Sequence, residues 1–186
     1  MCYHGVDYSN LHGGDWVIGI DVGKKGAYAI LDYGTEQVIK TGTFKTYNHK
    51  RLFRVDEFYK TLSTYRDKII IAGVEFLHAF PSDSRRTSFV FGMQLGAVLG
   101  CLELLSIPII EISPTKWKYA IFGKENKDTW KKNKEYSVQY VKERYPKTNL
   151  YRTKRCKKPD NNIADAVCIA LATIKQLKGE RVNGKK

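Results

Sequence analysis

Three short segments near the start of the chain have the hydrophobic pattern of β-strands. Val17–Asp21 is a continuous apolar run that ends in an acid, and Ala27–Asp32 and Gln37–Phe44 follow it after glycine-containing turns. Short apolar runs separated by tight turns are typical of consecutive antiparallel strands. The pattern therefore predicts a three-stranded antiparallel meander.

The middle of the chain alternates between helical and strand patterns. Apolar residues recur at helical spacing from Leu52 to Tyr65, and a loop is expected from Phe76 to about Ser88. Ile69–Glu75 is a second continuous apolar run ending in an acid, which indicates a central strand covered on both faces. A long apolar helix is predicted over Phe89–Leu105, followed by a last strand at Pro108–Ile112.

The remaining third of the chain predicts helices. Ser113 and Pro114 form a helix start, with Ser as N-cap and Pro at the first helical position. After a polar loop at 123–128 we expect a basic helix over 129–144, a charged loop at 145–160 and a last helix from Asn161 or Asn162. The order β-β-β-α-β-α-β-α-α-α predicts an α/β fold, a mixed five-stranded sheet flanked by helices. Residues 1–15 are predicted to be a flexible arm, 16–178 the domain and 179–186 a basic tail.

Gly92, Gly96 and Gly100 recur every four residues in the long apolar helix. Glycine costs a helix about 1 kcal/mol relative to alanine, so three on one face indicate a close backbone approach. Two explanations stay open: tight packing on the sheet, or a subunit interface that would make the protein a homodimer.

The charge of the chain indicates a polyanionic partner. There are 32 Lys and Arg against 19 Asp and Glu, and the formal net charge is +13. Nucleic acid fits this charge first and an anionic membrane surface second.

The cysteines indicate a reducing compartment, and the hydropathy pattern indicates neither export nor membrane insertion. Cys101 and Cys168 lie in apolar helical patterns, and none of the four cysteines forms a C-x-x-C pair. The polar start carries no signal-peptide pattern, and no apolar run is expected to span a bilayer. We expect a bacterial or phage-infected cytoplasm, with an organelle as the alternative, and no membrane partner.

Three acidic residues occupy positions that are typical of catalytic or metal-binding carboxylates. Asp21 and Glu75 each end an apolar strand, and Asp165 is predicted to lie in the first turn of the last helix, where it interrupts the apolar face. If the two strands are adjacent, the first two carboxylates approach each other and need a cation. Mg²⁺ suits such hard oxygen ligands, and two ions can support phosphodiester hydrolysis.

Each acid also has a purely structural explanation. Asp21 could brace the turn that follows it, Glu75 could pair with Arg85 or Arg86, and Asp165 could favour the helix dipole. The three acids together are harder to explain in this way than any one of them.

Basic and aromatic residues complete the picture of a nucleic-acid surface. Candidates for phosphate contacts are Lys116, Lys118, Lys131, Lys132, Lys134, Arg152, Lys154, Arg155, Lys157 and Lys158. Phe76, Phe80, Trp130 and Tyr151 are candidates for stacking on unpaired bases, whereas core packing is favoured for Trp117.

Five motifs in order resemble the RuvC-type Holliday junction resolvases, particularly the branch of phages and chloroplasts. They are Ile18-Gly19-Ile20-Asp21-Val22-Gly23, Gly73-Val74-Glu75 with Phe80-Pro81, the Gly-spaced helix from Phe91, Ser113-Pro114-Thr115-Lys116-Trp117-Lys118, and Asp160-Asn161-Asn162-Ile163-Ala164-Asp165-Ala166. The resemblance runs from about Val17 to Ala172.

The resemblance implies an RNase H-like nuclease domain, a homodimer and Mg²⁺-dependent paired nicks in a four-way DNA junction, with Mn²⁺ as the alternative ion and no small-molecule cofactor. Asp21, Glu75 and Asp165 match the family's metal-binding acids. Lys118 and Lys134 match positions where it has basic residues near the scissile phosphate, and Arg85 and Arg86 are further candidates for DNA contacts.

The chain departs from the family at the fourth metal ligand. The family has Asp or His three or four residues before the last acid, where this chain has Asn162 and Asn161. Asn is a weaker, neutral ligand, and Asp160 is the alternative if the helix starts early.

Three other functions compete. Asp21-Val22-Gly23 with Gly26 also resembles the phosphate loop of actin-like ATPases and sugar kinases, although the chain is short for their two lobes. A nuclease of the same fold could prefer flaps, forks or RNA. A non-catalytic junction-binding protein is the third alternative, favoured by Asn161 and Asn162.

Overall fold

The computed structural model describes residues 11–23, 25–45, 54–76, 84–133 and 135–179. Five strands form one sheet in the order β3-β2-β1-β4-β5. They are β1 (Trp16–Asp21), β2 (Ala27–Asp32), β3 (Val38–Thr43), β4 (Ile69–Glu75) and β5 (Ile109–Ile112). β1 to β3 are antiparallel, whereas β4 is parallel to β1 and β5 to β4. The predicted meander and the mixed five-stranded sheet are confirmed.

Six helices flank the sheet in the part of the chain that the structure describes. They are α1 (Val55–Tyr65), α2 (Arg85–Leu104), α3 (Pro114–Phe122), α4 (Lys127–Lys132), α5 (Tyr136–Arg144) and α6 (Asn161–Leu177). The single basic helix expected over 129–144 is wrong, because the chain leaves helical geometry at Asn133. The Asn133 side-chain oxygen accepts a hydrogen bond from the Glu135 amide at 2.9 Å, a local turn that competes with helix continuation.

Helix α2 begins at Arg85, four residues before the predicted start. Ser84 is its N-cap, and the Ser84 hydroxyl accepts a hydrogen bond from the Thr87 amide at 3.1 Å. Arg85 and Arg86 therefore lie in the first helical turn and not in a loop, and both are exposed.

The core lies on both faces of the sheet. One cluster packs α3, α5 and α6 against one face, and the other packs α1 and α2 against the opposite face. Buried Cys101 and Cys168 belong to these clusters, as their apolar surroundings predicted.

Helix α6 lies directly on the sheet because two paired glycines leave room for it. Gly19 of β1 and Gly73 of β4 are partners in the register. A β-carbon on Gly19 would collide with the backbone of Ala166, and one on Gly73 would collide with the Thr173 hydroxyl. This close approach brings the start of α6 to the ends of β1 and β4.

The glycine stripe of α2 does not pack on the sheet. A β-carbon on Gly92, Gly96 or Gly100 would meet no described atom within 4 Å. Tight packing on the sheet, one of the two explanations for the stripe, is therefore wrong. Phe89 at 68% exposure and Leu104 at 78% add to an apolar face that the described residues leave uncovered.

By length and composition, α2 could also cross a membrane. Its mean hydropathy over 18 residues is 1.4, and 22% of that window is buried. The expectation that no apolar run reaches this length is wrong for α2.

Candidate active site at the ends of β1 and β4

Asp21 and Glu75 meet at the carboxyl ends of two adjacent parallel strands. Ile20 pairs with Val74 in the register, so the two acids that follow stand side by side. Their side chains are hydrogen-bonded to each other, and their exposures are only 6% and 9%. Contact between two buried carboxyls requires a shared proton or a cation.

The electrostatics of the pair follow from burial and like charge. The pKa of Asp21 is raised well above 3.8, first by burial and then by the charges of Glu75, Asp165 and Asp160. Burial also raises the pKa of Glu75, while hydrogen bonds from Trp117 and Asp21 and the charge of Lys118 oppose that rise. Burial and the contact between the two acids therefore favour one bound proton or a cation over two free carboxylate charges.

Trp117 orients Glu75. The Trp117 indole N–H donates to Glu75 Oε1 at 2.8 Å, and the indole is fully buried in the core. The favoured core position of Trp117 is confirmed, but no sequence pattern predicts this contact, because the two residues are 42 positions apart.

Asp165 approaches the pair from α6, in the second turn and not the first. Burial raises its pKa to about 6, the Ser137 hydroxyl and the Lys118 ammonium oppose this rise, and the charges of Glu75 and Asp160 add to it. The positive charge of Lys118 thus acts on both Glu75 and Asp165. Ser137, a buried residue of α5, is a site residue that sequence reasoning missed.

The described acids are not already arranged as a complete set of metal ligands. Among the described residues, no three His, Cys, Asp or Glu side chains form a group that could hold a metal ion. The donor chemistry of the Asp21–Glu75 pair nevertheless suits a hard dication, because two buried carboxylates in contact lack a balancing charge of their own.

A cavity of about 410 Å³ opens beside Asp165 between α3, α4, α5 and α6. Lys118, Lys131, Asn161 and Asn162 line it together with aromatic residues. Trp130 also lines it but is buried at 8% exposure and packs on Tyr119, so its side chain is part of the core and is not presented to bases.

Asp160 is the N-cap of α6 and is occupied by other contacts. One of its carboxylate oxygens accepts a hydrogen bond from the Asn162 amide at 2.9 Å, and the other accepts one from Arg152 at 2.6 Å. The helix begins at Asn161, one of the two predicted starts. The Asn162 side chain donates to the Lys25 carbonyl at 3.4 Å.

The remaining predicted site residues differ in their exposure, and two of them lie outside the described part of the chain. Lys116, Lys131, Lys132, Lys154, Arg155, Lys157 and Lys158 are exposed, and Phe76 is partly buried. Phe80 and Lys134 lie outside the described residues. The Glu75 carboxyl is hydrogen-bonded to Trp117 and Asp21, so the alternative explanation, an ion pair with Arg85 or Arg86, does not account for its position.

The sheet order and the helix across it define an RNase H-like fold, and two solved structures with this fold are RuvC proteins. "T. thermophilus RuvC in complex with Holliday junction substrate" is 19% identical to this chain, with a TM-score of 0.62. "Thermus thermophilus RuvC structure" is 20% identical, with a TM-score of 0.57. Each comparison covers 88% of this chain and 96% of the other. The RuvC resemblance is thus confirmed at the level of the fold.

No protein-family model and no curated protein sequence matches the chain.

Proposed function

We propose that this protein is a metal-dependent endonuclease that cuts branched DNA, with the four-way junction as its preferred substrate. The single observation that supports this most is the buried Asp21–Glu75 pair at the ends of β1 and β4, with Asp165 beside it. A site of this kind on a protein of net charge +13 suits phosphodiester hydrolysis in a polyanion.

In this proposal Asp21, Glu75 and Asp165 hold one or two divalent ions, Mg²⁺ before Mn²⁺. An ion bound there would act as a Lewis acid toward the phosphate and would lower the pKa of a water molecule that it carries. Asn162 and Asp160 are the weaker candidates for a further ligand, because both side chains already have partners. Asn162 donates to the Lys25 carbonyl in the β1–β2 turn, and Asp160 accepts from the Asn162 amide and from Arg152.

The chain's own residues then position the scissile phosphate. Trp117 fixes the orientation of Glu75, and Ser137 fixes that of Asp165. The positive charge of Lys118 acts on both acids, and its side chain lines the cavity beside Asp165, where it can contact a phosphate oxygen. Lys134 is proposed as a second such cation.

DNA is proposed to lie across the exposed basic residues around the site. Lys116, Lys131 and Lys132 lie on α3 and α4, and the 154–158 segment adds four more basic side chains. Phe76 and Phe80, after β4, and Arg85 and Arg86, at the start of α2, are proposed to contact the branch point.

A homodimer is proposed through the glycine stripe of α2. A four-way junction has two-fold symmetry, so two active sites related by two-fold symmetry match it. The exposed apolar face of α2 is available for this pairing within the described part of the chain. We place the protein in the cytoplasm of a bacterial or phage-infected host.

The test incubates the purified protein and an Asp21→Asn variant with a labelled four-way junction, a flap and a linear duplex, with and without Mg²⁺. We expect symmetric nicks confined to the junction, and none from the variant. Equal cutting of the flap would indicate a broader branch nuclease. Tight junction binding without cutting in Mg²⁺ or Mn²⁺ would indicate a non-catalytic junction-binding protein.

A further inference from the structure

Arg152 joins the loop before α6 to the turn between β1 and β2. Its Nε donates to Asp160 at 2.6 Å, and a second guanidinium nitrogen donates to the Lys25 carbonyl. Asn162 donates to the same carbonyl at 3.4 Å. The two joined segments are those that carry Asp21 at the end of β1 and Asp165 near the start of α6.

The contact of Arg152 with Asp160 is partly buried, and this makes it stronger than a surface ion pair. The side chains of Arg152 and Asp160 are 22% and 14% exposed. Charge-assisted hydrogen bonds from a guanidinium are short and directional, and partial burial reduces their screening by salt. Asp160 also caps α6 through the Asn162 amide, so Arg152 is connected directly to the first turn of that helix.

We propose that Arg152 is a positioning residue for the metal site: by holding the start of α6 against the β1–β2 turn, it sets the position of Asp165 relative to Asp21. The proposal rests on the metal-dependent site proposed above. It replaces the sequence-based expectation that Arg152 contacts DNA, because the guanidinium is already engaged within the protein.

The same loop offers a matched comparison. Arg155 is three residues away and exposed, whereas Arg152 is partly buried. If the loop lies on DNA, Arg155 contacts a phosphate. Loss of Arg155 then weakens junction binding and makes the affinity for the junction less dependent on salt. Loss of Arg152 instead changes the site that the loop supports.

The experiment uses the full chain with Arg152→Ala, Arg152→Lys and Arg155→Ala. Mn²⁺ binding without DNA is measured by electron paramagnetic resonance of the free ion, and junction affinity is measured in Ca²⁺ over a range of salt. Single-turnover cleavage is measured in Mg²⁺. Hydrogen exchange reports on the amides of 161–165 and of 25–26.

We expect Arg152→Ala to weaken Mn²⁺ binding and slow cleavage by about 10- to 100-fold, the usual effect of losing a residue that supports metal ligands. Its junction affinity should stay unchanged, and exchange should accelerate at 161–165 and at 25–26. Arg155→Ala should show the opposite: weaker junction binding, a salt slope lower by about 1 and unchanged Mn²⁺ affinity. Arg152→Lys keeps the charge but not the fork of donors, so it should restore part of the Mn²⁺ affinity.

The proposal is overturned if Arg152→Ala leaves Mn²⁺ affinity unchanged, whatever its effect on junction binding. If Arg152→Ala fails to fold, Arg152→Lys takes its place as the test: it keeps the charge but loses the fork of donors, so it should weaken Mn²⁺ binding less, in the same direction. Unchanged Mn²⁺ binding in that variant would again overturn the proposal. If the wild-type protein binds Mn²⁺ but cuts no DNA, the proposed nuclease function is wrong. The Arg152 proposal is then decided by the Mn²⁺ affinities and hydrogen exchange of the variants.

Discussion

The Trp117 indole N–H donates a hydrogen bond to Glu75 Oε1 at 2.8 Å, between the first α-helix after β5 and the end of β4. The acceptor is a buried carboxylate, and the donor sits in a fully buried ring. A buried ring has one accessible rotamer, so it holds the carboxylate in one orientation. The packing of Trp117 in the core thereby fixes the orientation of Glu75, one of the two paired acids.

Trp117→Phe removes this donor while keeping an aromatic ring in the core. We expect cleavage and Mn²⁺ affinity to fall by about 10- to 100-fold, because Glu75 loses the group that orients it. The free energy of unfolding should fall by about 1–3 kcal/mol for the unsatisfied buried acceptor, beyond the cost of the smaller ring. Single-turnover cleavage and urea denaturation measure the two effects.

Trp130→Phe is the matched control. Trp130 is also buried, but its indole N–H has no acceptor among the described residues. Its replacement removes the same volume and no hydrogen bond, so activity should stay near that of the wild type. Equal losses of activity in the two variants would show that ring volume, and not the contact with Glu75, decides the effect.

The acids could be found from the sequence, but their partners could not. Asp21 and Glu75 are conspicuous because each ends an apolar strand, but the sequence leaves open whether those two strands are adjacent, and the parallel pairing of β1 with β4 comes from the structure. Trp117, Ser137 and Arg152 act through contacts with residues 42, 28 and 127 positions away, respectively, and no local pattern encodes such distances. The helix break at Asn133 was missed because an Asn side chain competed with a pattern that is otherwise helical.

Asp21→Asn should stabilise the protein when divalent ions are absent. Burial and neighbouring acids raise the pKa of Asp21, so its charged form is costly in the folded state. We expect a higher melting temperature than the wild type in EDTA, by about 2–4 °C for each kcal/mol gained. Addition of Mg²⁺ should raise the melting temperature of the wild type more than that of the variant. A lower melting temperature of the variant in EDTA would contradict the assignment of Asp21 as a strained acid.

Asp32→Asn is the control with the opposite expected sign. Asp32 ends β2 and is also buried, but its carboxylate accepts hydrogen bonds from the Gly14 and Thr35 amides, each at 2.8 Å. An amide side chain cannot accept both bonds in the same way, so this variant should lose about 1–3 kcal/mol of unfolding free energy. A gain in stability for both variants would show that any loss of charge stabilises the protein.

The cost of Asp32→Asn should depend on pH. Burial would raise the pKa of Asp32, but the hydrogen bonds from Thr35 and Gly14 outweigh it and lower the pKa below 3.8. The carboxylate therefore contributes its full stability above pH 3.8 and loses it as the pH falls through the lower, folded-state pKa. The difference in unfolding free energy between wild type and variant should be constant near neutral pH and shrink below about pH 4. A difference that grows in acid would contradict this sign.

Gly96→Leu should convert a dimer into a monomer without loss of fold stability. A side chain at Gly96 meets no described atom of its own chain within 4 Å, and a leucine is a better helix former than glycine by close to 1 kcal/mol. Between two copies of α2, however, it would hold the backbones apart. Sedimentation at micromolar concentration should show a dimer for the wild type and a monomer for the variant, whereas thermal unfolding should show no loss.

Gly13→Leu provides the control for an added apolar side chain, because Gly13 is exposed, belongs to the turn before β1 and not to α2, and also has open space at its β-carbon. This variant should remain dimeric. A monomeric wild type would contradict the interface outright. A dimeric Gly96→Leu variant would place the contact elsewhere on the molecule. The apolar face of α2 that the described residues leave uncovered would then need another partner. The length and hydropathy of α2 make a lipid bilayer the next partner to test.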